Sequence, residues 1–391
     1  MKDIGRKIIE IRRKIHQYPE LGNEEFRTAK LIEQTLRQVR IKTKRLSKTG
    51  VVGLLNHQLS TTDSQYCIAF RADIDALPLQ EKSGKVYASK IKGVMHACGH
   101  DANTAIVLGA ALLLTEKKKE LSGKIKFIFQ PNEESAGGAW ELIQTGVLDN
   151  PKVEVIIGIH VNPYLPTGKV GVRYGKMFAA VDRFNLKIIG EGGHGAAPHE
   201  GKDAIAIAGQ TIQALQNIVS RQIDPVEPVV ITVGTIHGGE RFNILPQEVE
   251  MSGTVRTLDE KIHKRIPRLI EKTVASICSA WGAKYKLDYE VIGYPLINSE
   301  NLVKFCERVA RNTFGKKNVV RVEKPSMGGE DFAEYLRYQP GCFLYLGTKG
   351  KNISTTYPWH HPKFDIDEEA LFRGAKFLAS LALNYLKQNS F

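Results

Sequence analysis

The sequence predicts an α/β protein whose mostly parallel sheet is interrupted by an inserted α+β domain. Short β-like runs alternate with helical segments through residues 1–181, an order typical of a parallel sheet. Residues 182–293 follow the order β-α-β-β-α-β, which is the split arrangement of a ferredoxin-like unit. Alternating helix and strand return in residues 294–391. We therefore expect one α/β domain built from both ends of the chain, with a ferredoxin-like domain inserted into it.

The individual elements follow from the spacing of apolar residues. Aliphatic side chains at helical spacing predict two helices within residues 3–38, and Pro19 and Gly22 separate them. The other main elements are strands at 67–70, 124–129, 153–159 and 342–347, and helices at 102–120, 135–145, 203–218, 263–281, 299–313 and 368–387.

Length and charge narrow the range of partners. At 391 residues the chain is longer than one hydrophobic core usually supports, so two domains are expected. The formal net charge is +13, but lysines and arginines are spread along the chain, with a tight run at 117–119. We interpret this charge as solvated surface that attracts anionic substrates, and we expect no nucleic-acid partner.

Targeting and redox features point to the cytoplasm. Residues 1–20 contain no apolar run of the kind found in a signal peptide, and no later stretch approaches the ~20 apolar residues of a membrane span. The five cysteines are odd in number and form no CxxC pair, so disulfides are not expected. The prediction is a cytoplasmic protein with reduced thiols and no membrane partner.

One group of chemically active residues lies in the loop MHACGHD. Cys98 and His100 flank Gly99 there, and a transition-metal ion accepts both a thiolate and an imidazole. Other such residues follow predicted strands, and in an open α/β sheet the ligands bind at the carboxyl ends of the strands. Most histidines are structural, so the loop alone does not establish a metal site.

The pair Glu133–Glu134 follows the predicted strand at 124–129. One carboxylate could bind a metal ion while its neighbour accepts a proton from water. Acidic residues also stabilise the first turn of a helix by about 0.3–1 kcal/mol, and the pair taken alone favours that interpretation. His160 ends an apolar run and could be a hydrogen-bonded core residue. Combined with the pair His360–His361, however, these residues complete a ligand set for two cations.

Further polar residues are candidates for supporting roles. Asp73 and Asp75 share one face of a strand end, and Asp73 is a candidate for orienting a metal-binding imidazole, with a salt bridge as the alternative. In the inserted domain, the segment GEGGHGAAPH surrounds His194 with small residues. Asn243 and Arg256 offer an amide and a guanidinium fork suited to a carboxylate, so they are candidates for binding substrate.

Taken together, these motifs resemble the metallo-aminoacylase and carboxypeptidase family, in particular its amidohydrolases such as hippurate hydrolase and indole-acetyl-amino-acid hydrolases. The resemblance runs along essentially the whole chain, through RRKIHQYPELGNEE, RADIDALP, MHACGHDANT, QPNEES, GIHV, GEGGHGAAPH, FNILP, GTVRT, GGEDF and WHHP. It implies that residues 1–181 and 294–391 form a catalytic di-metal domain. Residues 182–293 would form a lid and dimerisation domain.

The resemblance also implies roles for particular residues. The metal ligands would be Cys98, His100, Glu134, His160 and His360, with the family's LHxP-type motif selecting His360 over His361. They would hold two divalent ions per subunit, and Zn, Mn, Co or Ni would each suit a mixed N, O and S site. Glu133 would be the general base that takes a proton from the attacking water. The lid histidine would be His194, which would stabilise the oxyanion.

The chain departs from the subfamily pattern at three positions. Asn103 stands where a second histidine is common (HDAHT), Asn132 where alanine usually precedes the glutamate pair, and Gly329 where serine or alanine often precedes Glu-Asp-Phe. None is an inferred ligand. These departures are therefore expected to affect the shape of the pocket and the choice of substrate rather than the reaction itself.

The predicted function is a metal-dependent amidohydrolase that cleaves N-acyl amino acids of the N-acetyl or N-aroyl type. A carboxypeptidase or dipeptidase is the alternative, so the substrate would be a small N-acylated amino acid or a dipeptide. The resemblance implies a homodimer or homotetramer. A thiol enzyme with Cys98 as nucleophile would leave the glutamates without a task, and a non-catalytic, metal-stabilised binding protein would show no chelator-sensitive hydrolysis.

Overall fold

The computed structural model describes residues 2–56 and 66–388. The chain divides into two compact units. The first comprises Met1–Gly175, Ile297–Lys324 and Asp331–Phe391, and the second comprises Lys176–Leu296 and Pro325–Glu330. The predicted insertion, residues 182–293, lies inside the second unit, and its role as a lid stays a prediction.

The helices and strands follow one another in the predicted α/β order. The helices are α1 (Lys2–Gln17), α2 (Phe26–Gln38), α3 (His100–Glu116), α4 (Gly138–Gln144), α5 (Ala204–Gln222), α6 (Glu260–Ala280), α7 (Glu300–Phe314), α8 (Ala333–Leu336) and α9 (Glu369–Gln388). The strands are β1 (Lys42–Leu46), β2 (Gly50–Asn56), β3 (Cys67–Asp73), β4 (Lys124–Gln130), β5 (Val155–Pro166), β6 (Val170–Val172), β7 (Gly175–Phe178), β8 (Ala180–Ile189), β9 (Gly193–His194), β10 (Val229–Gly238), β11 (Ile244–Leu245), β12 (Glu248–Thr257), β13 (Lys284–Gly293), β14 (Leu296–Asn298), β15 (Val319–Arg321) and β16 (Gly341–Lys349).

The first unit is built on a sheet with the strand order β1-β2-β4-β3-β5-β16-β6-β15. Its centre is parallel, because β4 pairs with β3, β3 with β5, and β5 with β16 in the same direction. All of β3 is buried, as expected for a strand with both faces covered. Helix α3 packs against β3, α1 and α9 and is buried from His100 to Leu114, so it is apolar around most of its circumference.

The second unit has its own sheet, in the order β10-β12-β8-β13, with every neighbouring pair antiparallel. Helices α5 and α6 pack against each other and against this sheet. The core between them includes Phe184, Ile231, Val255 and Ile270. Buried and more exposed residues alternate along β8, because only one face of the sheet is covered. The order β8-α5-β10-β12-α6-β13 is the predicted ferredoxin-like order.

Glycines account for two errors in the predicted helix boundaries. The helix predicted at 102–120 begins earlier, at His100, after Gly99 with its φ of 95°. The helix predicted at 135–145 begins later, at Gly138, after Gly137 with its φ of 120°. These left-handed backbone positions strongly favour glycine. Within residues 2–56 and 66–388, no helix combines the length and the apolar character needed to cross a bilayer.

Candidate metal centre

The candidate site lies in the first unit, at the carboxyl ends of its parallel strands. Asp73 is the last residue of β3, Glu133 and Glu134 follow β4, and His160 lies within β5. Because these strands run in the same direction, their ends meet at one edge of the sheet. The polar residues that were separate in the sequence therefore converge here.

Gly99 brings the Cys98–His100 loop close to β5. A Cβ atom at Gly99 would lie 2.3 Å from Cγ2 of Val161, so only glycine fits without a shift of one of the two residues. The same residue caps α3, and His100 is the first residue of that helix. Cys98 and His100 thus lie on either side of a tight turn, in which Gly99 has a left-handed backbone conformation.

The predicted ligands form two overlapping groups. In the first, Cys98, His100 and His160 each place a ligand atom within 4.8 Å of the others. The second group is Cys98, Glu134 and His360, so the two groups share the thiol. Representative separations are 3.7 Å between Cys98 Sγ and His160 Nε2, 3.8 Å between His100 Nε2 and Glu134 Oε1, and 3.7 Å between His360 Nε2 and Glu134 Oε2.

Glu133 lies at the edge of these groups. Its Oε2 atom is 3.9 Å from His100 Nε2, and its side chain is 12% exposed. It also forms a compact trio with His100 and Glu134. The two adjacent glutamates therefore both reach the cluster, while Glu134 alone belongs to the group that contains His360.

Asp75 orients two of the predicted ligands. His100 Nδ1 donates to the Asp75 backbone carbonyl at 3.0 Å and lies 3.1 Å from Asp75 Oδ1. The other carboxylate oxygen accepts the backbone N–H of Glu134 at 2.9 Å. This arrangement leaves His100 Nε2 pointing into the cluster, as an imidazole ligand requires. Asp75, rather than the predicted Asp73, therefore orients this imidazole, and both residues lie in the RADIDALP motif.

Asp73 instead forms part of a buried network. Its Oδ2 atom accepts from Arg71 Nη1 at 2.7 Å and lies 3.9 Å from His100 Nε2. Arg71 also donates to Asp331 Oδ1 at 2.7 Å. The pKa of the Asp73 carboxyl falls to about 2, because His100 and Arg71 outweigh the effect of burial. Asp73 therefore forms a salt bridge with Arg71, which is the alternative role predicted from the sequence. Its carboxylate is charged and lies beside the ligand cluster.

The ring of His160 is also fixed. Its Nδ1 donates to the backbone carbonyl of Val161 at 2.8 Å, so Nε2 is the nitrogen available to a ligand. The same carbonyl accepts from Trp359 Nε1 at 3.1 Å. Burial lowers the pKa of His160 to about 4. A buried neutral imidazole is the form that binds a metal ion.

The structure separates the two histidines of the WHHP segment. His360 N donates to Ala97 O at 2.9 Å, and its side chain is 56% exposed. His361 stacks on Tyr357 with ring centroids 4.5 Å apart, and its Nδ1 accepts from Lys363 N. Among the described residues, only His360 of this pair belongs to a ligand group.

The chemistry of the donor set fits divalent transition-metal ions. His100 Nε2 and Glu134 Oε1 are buried and have no hydrogen-bond partner within the described residues, an arrangement that costs free energy unless another group satisfies them. Thiol, imidazole and carboxylate donors together suit zinc and similar cations. The residues present therefore fit the two-cation site implied by the resemblance.

The pKa values of the predicted ligands indicate which protons a bound cation would displace. Burial raises the pKa of the Cys98 thiol well above its ordinary value, and burial also raises that of Glu134. Burial alone would lower the pKa of His100, but Asp73 and Cys98 raise it well above its ordinary value. Ligands bind metals in their deprotonated forms, so cation binding is expected to release protons.

The three candidates in the second unit lie in its two-stranded ribbon, formed by β9 and β11, and in its main sheet. His194, in β9, pairs with Ile244 of β11, and its Nδ1 accepts from Ala196 N at 3.0 Å. The backbone carbonyl of Asn243 accepts from Gly195 N at 2.9 Å. Arg256 lies in β12, where its Nε donates to Thr254 Oγ1 at 3.2 Å. His194 and Asn243 thus share one ribbon, and Arg256 belongs to the main sheet of that unit.

Comparison with known proteins identifies the family. The sequence matches the model of peptidase family M20/M25/M40 over residues 69–384. The chain belongs to this family. It is 41% identical to the N-acetyl-L-cysteine deacetylase of Bacillus subtilis, with 100% of this chain and 90% of the relative covered. It is 40% identical to thermostable carboxypeptidase 2 of Saccharolobus solfataricus, with 98% and 97% covered.

A solved structure extends the likeness to three dimensions. The Bacillus subtilis YXEP protein, described as a dinuclear metal-binding peptidase of the M20 family, superposes with a TM-score of 0.85 at 36% identity, with 99% of each chain covered. The recognised family, the α/β fold class and the prediction of a metal-dependent hydrolase of linear amides are confirmed. The identity of the metal, the oligomeric state and the cytoplasmic location stay predictions.

Proposed function

We propose that the protein hydrolyses the amide bond of small N-acylated amino acids, using two divalent cations bound in the first unit. The observation that carries the proposal is the pair of ligand groups that share Cys98. The deacetylase named above acts, by its name, on an N-acetylated amino acid, and the M20 structure is described as dinuclear. Both descriptions agree with the expectation from the sequence.

In this proposal the cations are held by Cys98, His100, Glu134, His160 and His360. Cys98 contributes to both groups, so one thiolate would serve two sites. Asp75 holds His100 and Glu134 in place, and the Val161 carbonyl holds His160. Zn, Mn, Co and Ni are all candidates, because the mixed donor set does not select one of them.

Glu133 is proposed as the general base. The bound cations would supply Lewis-acid activation, lowering the pKa of water and polarising the acyl carbonyl. Glu133 lies beside the ligand groups, with its Oε2 atom 3.9 Å from His100 Nε2, and belongs to neither group that contains Cys98. Its carboxylate would accept the proton of the attacking water. The same carboxyl group would then deliver that proton to the departing amine.

Roles on the substrate are proposed for His194, Asn243 and Arg256. His194 would stabilise the developing oxyanion, and the amide of Asn243 and the guanidinium of Arg256 would bind the carboxylate of the amino acid. These assignments rest on the sequence resemblance and on the chemistry of the side chains. A homodimer or homotetramer is proposed from the same resemblance, and a cytoplasmic location from the cysteine pattern of the sequence.

A carboxypeptidase or dipeptidase is the second candidate. It is supported by the 40% identity to a thermostable carboxypeptidase. Both reactions cleave a linear amide. They differ in the group on the carbonyl side of that amide, which is an acyl cap in one reaction and an amino acid in the other. The same cluster of ligands and the same base serve either substrate.

A substrate panel distinguishes these functions. The metal-free protein is mixed with N-acetyl amino acids, N-benzoyl amino acids or dipeptides, Zn²⁺, Mn²⁺ or Co²⁺ is added, and free amine is measured. Metal-restored release from acylated amino acids supports the proposed function. Release from dipeptides alone would replace it with the peptidase. Cation binding without hydrolysis of any compound in the panel would contradict both.

A further inference from the structure

Asn103 occupies the gap where two strands of the central sheet separate. The parallel ladder between β3 and β5 ends at the pair Arg71–Gly158, two positions before Asp73 and His160. Asn103 lies in the first turn of α3 and is fully buried. Its Nδ2 donates to Asp73 Oδ1 at 2.8 Å, and its Oδ1 accepts the backbone N–H of Val161 at 3.0 Å.

Toward β5, the side-chain amide accepts a backbone N–H as a peptide carbonyl would in a continued ladder, and toward β3 it donates to the side chain of Asp73. It presents one donor and one acceptor on the same carbon atom. Both partners are unambiguous, because a carboxylate accepts and a backbone N–H donates, so the orientation of the amide is determined by its neighbours. One side chain on the helix that begins with His100 therefore links the two strands beyond the point where their pairing stops.

Both links lead to the ligand cluster. On one side, Asp73 Oδ2 lies 3.9 Å from His100 Nε2. On the other, the carbonyl of Val161 accepts from His160 Nδ1 at 2.8 Å. A shift of Val161 would move the hydrogen-bond partner of His160 together with the ring itself. The separation of 3.7 Å between His160 Nε2 and Cys98 Sγ would then change.

We propose that Asn103 is a positioning residue for the metal centre, whose side-chain amide bridges the end of β3 and the middle of β5 and sets the spacing of His160 from Cys98 and His100. The inference rests on the ligand set proposed above. It assigns a task to a residue at which this chain departs from the HDAHT pattern. Hydrogen-bonding partners around metal ligands typically change metal affinity by about 10–100-fold when removed.

Thr104 provides a matched control. It is also fully buried and lies on the same turn of α3. Its Oγ1 donates to the backbone carbonyl of Asp73 at 2.9 Å, whereas Asn103 bonds the carboxylate of Asp73 and the backbone N–H of Val161. Thr104→Val removes one buried hydrogen bond at nearly constant volume. Its effect measures the purely structural cost of disturbing this turn.

The test compares Co²⁺ binding in the wild type, Asn103→Ala, Asn103→Asp, Asn103→His and Thr104→Val. Co²⁺ affinity is measured by competition with a chelator, the thiolate-to-Co²⁺ absorption band is recorded, and thermal unfolding of the metal-free protein is followed. Asn103→Ala is expected to weaken Co²⁺ binding by about tenfold or more and to shift the band. Asn103→His, which as a neutral ring keeps one donor and one acceptor, should restore part of the affinity.

Asn103→Asp keeps the acceptor for Val161 but places a carboxylate against Asp73. Asn103→Asp is therefore expected to weaken Co²⁺ binding. It tests the proposal independently if Asn103→Ala fails to fold. Thr104→Val should lower the unfolding temperature and keep the wild-type affinity and band. The proposal is overturned if Asn103→Asp binds Co²⁺ as the wild type does, or if Thr104→Val and the Asn103 variants lose affinity equally. If the wild type shows no thiolate-to-Co²⁺ band, the proposed ligand set itself is wrong, which is visible before any variant is made.

Discussion

The stability of the protein is expected to depend on a buried, charged histidine. His16 is 1% exposed, with Nδ1 2.8 Å from Asp101 Oδ2 and Nε2 3.3 Å from Glu81 Oε1. Burial alone would lower its pKa, but Asp101 and Glu81 raise it to about 9. Asp101 follows His100 and also accepts from Arg12 Nε at 2.8 Å, so this network supports the first turn of α3.

The sign and size of the effect follow from that pKa. A histidine whose pKa is raised on folding stabilises the folded state fully below its unfolded pKa and loses this contribution as pH rises through the folded pKa. For His16 the interval runs from 6.5 to about 9. At about 1.4 kcal/mol per pKa unit, the free energy of unfolding should fall by roughly 3 kcal/mol over this range.

The assay is urea unfolding of the metal-free protein between pH 6.5 and pH 9, in the wild type and in His16→Gln. The neutral glutamine has no proton to lose, so the variant should be less stable at the lower pH and should show a much flatter pH dependence. His199→Gln is the matched control, because that side chain is 79% exposed and the variant should keep the wild-type slope. Equal slopes in the wild type and His16→Gln would refute the reasoning.

Four further substitutions test the site. Glu133→Gln should retain both cations by elemental analysis and lose about 10²–10⁴-fold in kcat; near-wild-type turnover would remove Glu133 as the base. Cys98→Ala should lose bound metal, as measured by chelator competition, and unchanged metal content would exclude the thiol as a ligand. Gly99→Ala places a Cβ 2.3 Å from Val161 Cγ2 and should cost about 1–3 kcal/mol of stability, measured by urea unfolding against the wild type. His194→Ala should lower kcat by about 10²–10³-fold with metal content unchanged; a loss of metal instead would indicate a structural role.

The sequence predicted the main elements because their patterns are local. Alternating strands and helices, the long apolar runs of β3, β4 and β5, and the six-element order of the second unit can all be read from spacing. Short edge strands such as β1 and β15 were not predicted. The run KTKRL of β1, for example, contains one buried residue in five, so its pairing with β2 depends on tertiary context rather than on an apolar pattern.

The site could be predicted as a set of residues but not as an arrangement. Residue types and motifs pointed to Cys98, His100 and Glu134 together, and the structure brings them together. The choice between Asp73 and Asp75 depends on which carboxylate faces His100 Nδ1, and period-two spacing puts both on the same face. The sequence also could not predict that Asn103 bridges β3 and β5, because this contact depends on where the pairing of the two strands ends.

The most direct test of the central claim is a metal titration of hydrolysis. Zn²⁺ or Mn²⁺ is added stepwise to the metal-free protein, and the release of amine from an N-acylated amino acid is measured at each step. The account predicts negligible release without cation and a plateau at two equivalents per chain. Full activity in the presence of excess chelator would contradict a two-cation amidohydrolase. A rate of amine release that does not change as cation is added would contradict it as well.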